Sequence, residues 1–308
     1  MDFKVFEDYI VDGQMSIFDF THDVFKIDKP IRLIELFAGV GSQAMAMRDL
    51  GADFEHHRVV EFDKYAIASY NAIHGTDFPA MDITKVSGSD LGIVDTDKWC
   101  YIMTYSFPCQ DLSVAGLGKG MSKGSGTRSG LLWEVERLLN EVENLPQVLL
   151  MENVPMVHSA QNMVDFQKWI DFLENKAYSN WWQDLNAKDY GVAQNRERTF
   201  MVSILGEYQY KFPKPIPLTK IMKDYLEDEV DEKYYLSKKM FNYAFNIQNQ
   251  AKGIGFSDGV DNSYINPYIA QTIGCRSSSG QRIGVTNYVS DDRIKIKVKD
   301  FKKQIFGD

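Results

Sequence analysis

The chain has 308 residues, enough for one large domain and a smaller one. A hydrophobic content of 44% and a charged content of 25% are those of an ordinary globular protein, and no apolar run approaches membrane-spanning length. A net charge of −9 argues against binding nucleic acid by bulk charge, while leaving room for a local basic cleft.

Residues 1–30 are polar and broken by Gly13 and Pro30, which suggests an extension ahead of the fold. The acidic start lacks a signal-peptide pattern, so a cytoplasmic protein is expected, in a bacterial or phage-infected cell. Within this stretch Gln14-Met15-Ser16-Ile17-Phe18 resembles the short peptide that bacterial proteins use to bind the replication sliding clamp. The bland alternative is a tail that packs its own Ile17 and Phe18. Three cysteines, Cys100, Cys109 and Cys275, with no C-x-x-C and no His cluster, point to neither a disulfide framework nor a metal site.

Ile31 to Phe37 is a continuous apolar run, expected to be a buried parallel strand. Ala38-Gly39-Val40-Gly41-Ser42-Gln43-Ala44 follows, then a helical pattern ending at Gly51. Strand, glycine turn and helix together offer backbone N–H groups to a polar or anionic ligand. The spacing also fits G-x-G-x-x-A, so on this stretch alone a nicotinamide enzyme stays open. A second strand, Arg58 to Phe62, ends at Glu61, where this kind of fold holds ribose hydroxyls, and Phe62 stands ready to stack on an adenine. Met81-Asp82-Ile83-Thr84 is expected to end a third strand beside the adenine.

The apolar run Trp99 to Met103 feeds Thr104-Tyr105-Ser106-Phe107-Pro108-Cys109-Gln110. Cys109 therefore falls just past a strand end, where open α/β sheets place their chemistry, on a turn stiffened by Pro108. A lone cysteine is more often a buried, inert side chain, so its company further along the chain decides its role. The glycine-rich run Ala115 to Gly130 carries Lys119, Lys123 and Arg128, and an amphipathic helix follows at Leu131 to Leu139. A mobile, phosphate-contacting lid is expected there. Val148 to Met151 is a further buried strand, capped by Glu152-Asn153-Val154-Pro155. Gln194, Arg196 and Arg198 fall on one face of an extended segment that leads into a last strand, Thr199 to Ile204.

Phe37-Ala38-Gly39-Val40-Gly41, Phe107-Pro108-Cys109-Gln110, Glu152-Asn153-Val154 and Gln194-x-Arg196-x-Arg198 occur in the order seen in DNA (cytosine-5)-methyltransferases, and residues 31 to about 204 resemble phage and bacterial members of that family. The resemblance implies an α/β, Rossmann-like sheet with helices on both faces that binds S-adenosylmethionine, spanning 31–204, with a reduced DNA-recognition region over 205–308. It implies that Cys109 attacks C6 of a flipped-out cytosine in double-stranded DNA and that Glu152 protonates N3. Arg198 would hold O2, Arg196 would orient Glu152 or the loop, and Asn153 would set the pocket backbone. The cofactor would lie against Phe37, Gly39, Gly41, Glu61, Phe62, Asp82, Ile83 and Pro108. DNA would meet Gln110, Ser113, Lys119, Lys123, Arg128, Gln194, Arg276 and Arg282. Restriction-modification is the implied setting. Two departures stand out. Glu35 occupies a position usually held by Asp, and the family's closing Arg-x-Leu-Thr-x-Arg-Glu and Gly-Asn-Ser segments are absent. The second departure raises the expectation of a split enzyme completed by a second polypeptide, or of an inactive regulatory form. A tRNA cytosine-5 methyltransferase shares the chemistry and is the other open reading.

Overall fold

The computed structural model describes residues 23–109, 112, 120–228, 231 and 269–271. Gln14–Phe18, Gln110, Ser113, Lys119, Arg276 and Arg282 lie outside the described residues. The chain divides into two compact units, Met1–Leu185 with Glu197–Pro213, and Asn186–Arg196 with Lys214–Asp308.

In chain order the strands and helices are β1 (Asp23–Val24), β2 (Ile31–Leu36), α1 (Ser42–Asp49), β3 (Phe54–Val60), α2 (Lys64–His74), β4 (Cys100–Tyr105), α3 (Leu132–Glu141), β5 (Val148–Asn153), α4 (Met163–Asn175), β6 (Tyr178–Asn186), β7 (Gln194–Asn195), β8 (Glu197–Leu205), β9 (Tyr208–Gln209) and β10 (Ala270–Gln271). The first unit is organised on a six-stranded sheet in the order β3-β2-β4-β5-β8-β6. Strands β3, β2, β4 and β5 pair in parallel, and β8 runs antiparallel to β5.

Alternation along the central strands sorts side chains into two cores, one on each face of the sheet. Ile31 and Leu33 of β2, with Cys100 and Ile102 of β4, pack with Ala44 and Met47 of α1. Ile34 and Leu36 of β2, with Tyr101, Met103 and Tyr105 of β4, join Leu132, Val135 and Leu138 of α3 and Phe166, Trp169 and Leu173 of α4. Every residue of β4 is buried, as expected of a parallel strand covered on both sides. Trp169 crosses that core to donate from its indole N–H to the Tyr105 hydroxyl at 3.1 Å.

Local chemistry sets the helix ends. Asp63 caps α2 by accepting from the backbone N–H groups of Tyr65 and Ala66 at 2.7 and 3.2 Å, and Gly75 closes it at φ 67°. Helices α2 and α4 and strand β6 carry no motif and were not anticipated from the sequence. The segment expected to end a third strand does not form one. Asp82 accepts from the N–H and hydroxyl of Thr84 and nucleates a short 3-10 turn, Ile83–Lys85. An Asx-type cap of this kind offers the backbone a turn in place of a ladder.

The segment that carries Gln194, Arg196 and Arg198 is also not one continuous strand. Gln194 and Asn195 form β7, which pairs with β10 in the second unit. Arg198 lies in β8 of the first unit.

Candidate active site at the carboxyl edge of the sheet

The carboxyl ends of β2, β4 and β5 are in register, with Leu36 opposite Tyr105 and Tyr105 opposite Met151. The three turns that leave them, at Phe37–Gly41, Ser106–Cys109 and Asn153–Pro155, therefore sit side by side. Strand β8 enters the same edge from the opposite direction, with Thr199 opposite Asn153 and Phe200 opposite Glu152.

The first turn is shaped by its backbone. Phe37, Gly39 and Gly41 have φ of 58°, 57° and 79°. A left-handed Phe is costly, on the order of 1–3 kcal/mol, and nothing in the sequence pattern announces it. The two glycines differ in purpose. A Cβ on Gly41 would stand 2.4 Å from His74 Nε2 and 2.5 Å from a Tyr70 ring carbon, so Gly41 lets α2 pack directly beneath the turn. A Cβ on Gly39 would meet nothing within 4 Å, so that side of the turn is open to a ligand. Glu61, just past β3, accepts from Gly39 N through Oε2 and from Asp63 N through Oε1, each at 2.8 Å. Each oxygen keeps a further lone pair for a hydroxyl donor. The neighbouring Phe62 ring is 75% exposed. An open glycine turn, a fixed carboxylate and a bare aromatic ring fit the adenosine part of S-adenosylmethionine. Asp82 is held below the usual carboxylate range by the Thr84 hydroxyl and N–H, and Ile83 is buried in the core.

Beneath this turn is a buried polar chain. Glu35, 1% exposed, accepts from Ala44 N at 3.4 Å and from the Tyr70 hydroxyl at 2.5 Å, and His56 Nδ1 lies 2.6 Å from that hydroxyl. Burial pushes the Glu35 carboxyl and the Tyr70 phenol up, and burial and nearby His74 push His56 down.

The second turn is shaped by side chains from other elements. Asn153 Nδ2 donates to the Phe107 carbonyl at 3.0 Å, and Ser129 Oγ donates to the Pro108 carbonyl at 2.8 Å. Leu112 N donates to the Cys109 carbonyl at 3.1 Å. Gln43 Nε2 donates to Ser106 Oγ at 3.1 Å. Cys109 is half-buried against the core, whereas Cys100 lies inside the sheet, its thiol pushed up to about 11 by burial. Asn153 is itself 2% exposed, and its Oδ1 accepts from Val154 N at 2.9 Å.

Glu152 and Arg198 meet at this edge, with Nε 3.1 Å from Oε1 and each side chain about one-fifth exposed. Arg196 and Gln194 belong to the second unit. There Arg196 N donates to Asn186 Oδ1 at 3.0 Å, and the Arg196 carbonyl accepts from Ala187 N at 3.0 Å.

The described part of the glycine-rich run, from Gly120 onward, is docked on the domain. Met121 is fully buried, and its carbonyl accepts from Trp133 Nε1 at 2.7 Å. Ser122 Oγ donates to Asp165 at 2.7 Å. Lys123, expected on DNA, is paired here with Glu136 at 2.7 and 2.9 Å, and Arg128 is exposed.

Sequence reasoning missed Gln43, Ser106 and Ser129. Each is a common polar residue with no spacing signal; Ser106 opens the Ser106–Cys109 turn, and only the fold brings Gln43 and Ser129 to it. Among the described residues no group of three or more His, Cys, Asp or Glu side chains could hold a metal, and no helix is long and apolar enough to cross a membrane.

A family model described as C-5 cytosine-specific DNA methylase matches residues 31–304, well past the stretch that carries the sequence motifs. The Lactococcus lactis subsp. cremoris protein named type II methyltransferase M2.ScrFI is 34% identical over 254 residues, covering 67% of this chain and 70% of its own. The Spiroplasma monobiae orphan methyltransferase M.SssI is 32% identical over 297 residues, covering 77% of each. Among solved structures, the Dnmt2 methyltransferase of S. pombe superposes with a TM-score of 0.64 at 18% identity, covering 89% of this chain and 80% of that one, which shows the shared fold.

Proposed function

The chain belongs to the C-5 cytosine-specific DNA methylase family, and we propose that it methylates cytosine in DNA by covalent catalysis from Cys109 on a base flipped out of the duplex. As a DNA cytosine-5 methyltransferase it uses S-adenosylmethionine, which supplies an electrophilic methyl group. The observation that carries the covalent reading is the strand-end geometry. Cys109 follows β4, whose last residue Tyr105 pairs with Met151, the residue before Glu152, and Glu152 is ion-paired with Arg198 of β8.

Cytosine C5 is a poor nucleophile. The Cys109 thiolate adds to C6, and Glu152 gives a proton to N3, so the ring gains enamine character at C5. Arg198 holds Glu152 in place and takes the cytosine O2. After C5 accepts the methyl group, a base removes the C5 proton and the Cys109–C6 bond breaks, which returns the thiolate. Asn153 supports this cycle by holding the turn that carries Cys109. Phe37, Gly39, Gly41, Glu61 and Phe62 would hold the cofactor, together with Pro108 and Asp82, with Ile83 packed in the core next to Asp82. Gln110, Ser113, Lys119, Arg128, Gln194, Arg276 and Arg282 would meet DNA, joined by Lys123 on release from Glu136. Residues 205–308 would choose the site.

Duplex DNA carrying 5-fluorocytosine should trap a covalent complex through Cys109 when the methyl donor is present, because fluorine blocks the final elimination. Cys109→Ser should form none; an adduct with that variant sinks the assignment. Bisulfite sequencing of DNA from cells expressing the chain reports the target site, with tRNA as the competing substrate. A sliding clamp bound through Gln14–Phe18 and a second polypeptide belong to the same proposal, and running the assay with the chain alone, then with each added, reads their contribution.

A further inference from the structure

Four consecutive residues, Ser106 to Cys109, are each held by a hydrogen bond of their own. Three of those bonds grip main-chain carbonyls. The fourth joins two side chains, and it comes from α1, the helix that leaves the other turn. Gln43 is the second residue of α1, two positions after Gly41, and its amide N–H reaches the Ser106 hydroxyl at 3.1 Å across the aligned ends of β2 and β4. The other end of that amide is also engaged, since Gln43 Oε1 accepts from Ser42 Oγ at 3.0 Å. Gly41 is in turn locked to this helix, because its carbonyl accepts from Met45 N at 3.0 Å.

We propose that Gln43 is a positioning residue that joins the methyl-donor turn to the nucleophile turn through Ser106. This rests on the function proposed above, in which one turn holds the donor and the other holds the cytosine. Methyl transfer needs C5, fixed through Cys109, to lie in line with a group fixed by Phe37–Gly41. Small misplacements of reacting groups are costly in rate. The carbonyl contacts from Asn153 and Ser129 fix the nucleophile turn to β5 and to the 3-10 turn Ser129–Leu131 that precedes α3, and the Gln43 bond sets its spacing from the donor.

The experiment is a double-mutant cycle on the full chain, read in single-turnover methyl transfer to duplex DNA. Gln43→Ala and Ser106→Ala should each slow transfer by about three- to tenfold, the scale of one ordinary hydrogen bond. The double variant should be no slower than the slower single one, and cofactor KM should stay within about twofold of wild type. Gln43→Glu should recover most of the rate, because its carboxylate can accept from the Ser106 hydroxyl and so keep the link with the donor reversed. Losses that multiply, losses confined to cofactor affinity, or singles with wild-type rates overturn the proposal. A second readout needs no turnover. S-adenosylhomocysteine should change the rate at which iodoacetamide alkylates Cys109 in the wild type, and that change should shrink in Gln43→Ala. An undiminished change in the variant overturns the link. A wild-type chain that forms no Cys109 adduct overturns the covalent mechanism instead, and the alkylation result then decides the link by itself.

Discussion

The two turns at the carboxyl edge of the sheet are fixed by different means. The Phe37–Gly41 turn is made by backbone geometry: three left-handed residues, one of them chosen so that α2 can approach. The Ser106–Cys109 turn is made by side chains that reach in from α1, β5 and the 3-10 turn that precedes α3. A turn held by sterics fails together with the packing beneath it. A turn held by separate hydrogen bonds loses precision one contact at a time, while the domain stays folded. The donor side should therefore couple affinity to stability, and the nucleophile side should couple rate to single contacts.

The sharpest break in this contrast is Gly41→Ala. The new methyl group collides with His74 and Tyr70, and φ 79° is unfavourable for alanine. Overpacking and left-handed strain together predict a loss of about 2–5 kcal/mol, seen as a lower Tm and weakened cofactor binding. Gly39→Ala is the control within the same turn. Its Cβ points to open space, so thermal denaturation should show only the left-handed cost of about 1–2 kcal/mol, while calorimetry should show a much weaker cofactor. Equal stability losses at the two glycines would dissolve the distinction between them.

Asn153→Ala tests the other side. It leaves the buried Phe107 carbonyl without its 3.0 Å donor, which costs about 1–3 kcal/mol. Methyl transfer should fall by roughly tenfold or more while cofactor Kd holds, since about 1.4 kcal/mol corresponds to a factor of ten. A matching fall in cofactor affinity would show that the two turns are not independently fixed.

The smallest effect is expected from Glu35→Gln, read in the pH dependence of stability. Burial raises the Glu35 pKa in the folded protein above its unfolded value of about 4.3. Between those two values the folded state binds more protons than the unfolded state, so stability falls as pH rises through that window. Glu35→Gln removes the titrating group and should flatten that fall in denaturant titrations across pH. An unchanged slope would place the burial cost elsewhere in the Glu35–Tyr70–His56 chain.

The strands at the centre of the sheet, the glycine turn, the Pro-Cys turn and the amphipathic α3 were legible in the sequence, because period, apolar runs and turn residues are local properties. Glu152 and Arg198 were legible through their motifs, although the ion pair between them needs β8 laid antiparallel on β5. Other features were decided by tertiary structure alone. The Met81–Thr84 segment looked like a strand end by composition, but Asp82 capping turned it into a 3-10 turn. Gln194 and Arg196 shared a period with Arg198, yet pairing with β10 drew them into a second unit. Gln43 and Ser129 carry no signal at all, and their meaning comes from a hydroxyl 63 residues away and a carbonyl 21 residues away, respectively. Local patterns report which way a side chain faces along its own element. Which distant polar atom it meets depends on strand order and register, and those are settled only when both faces of the sheet are buried at once.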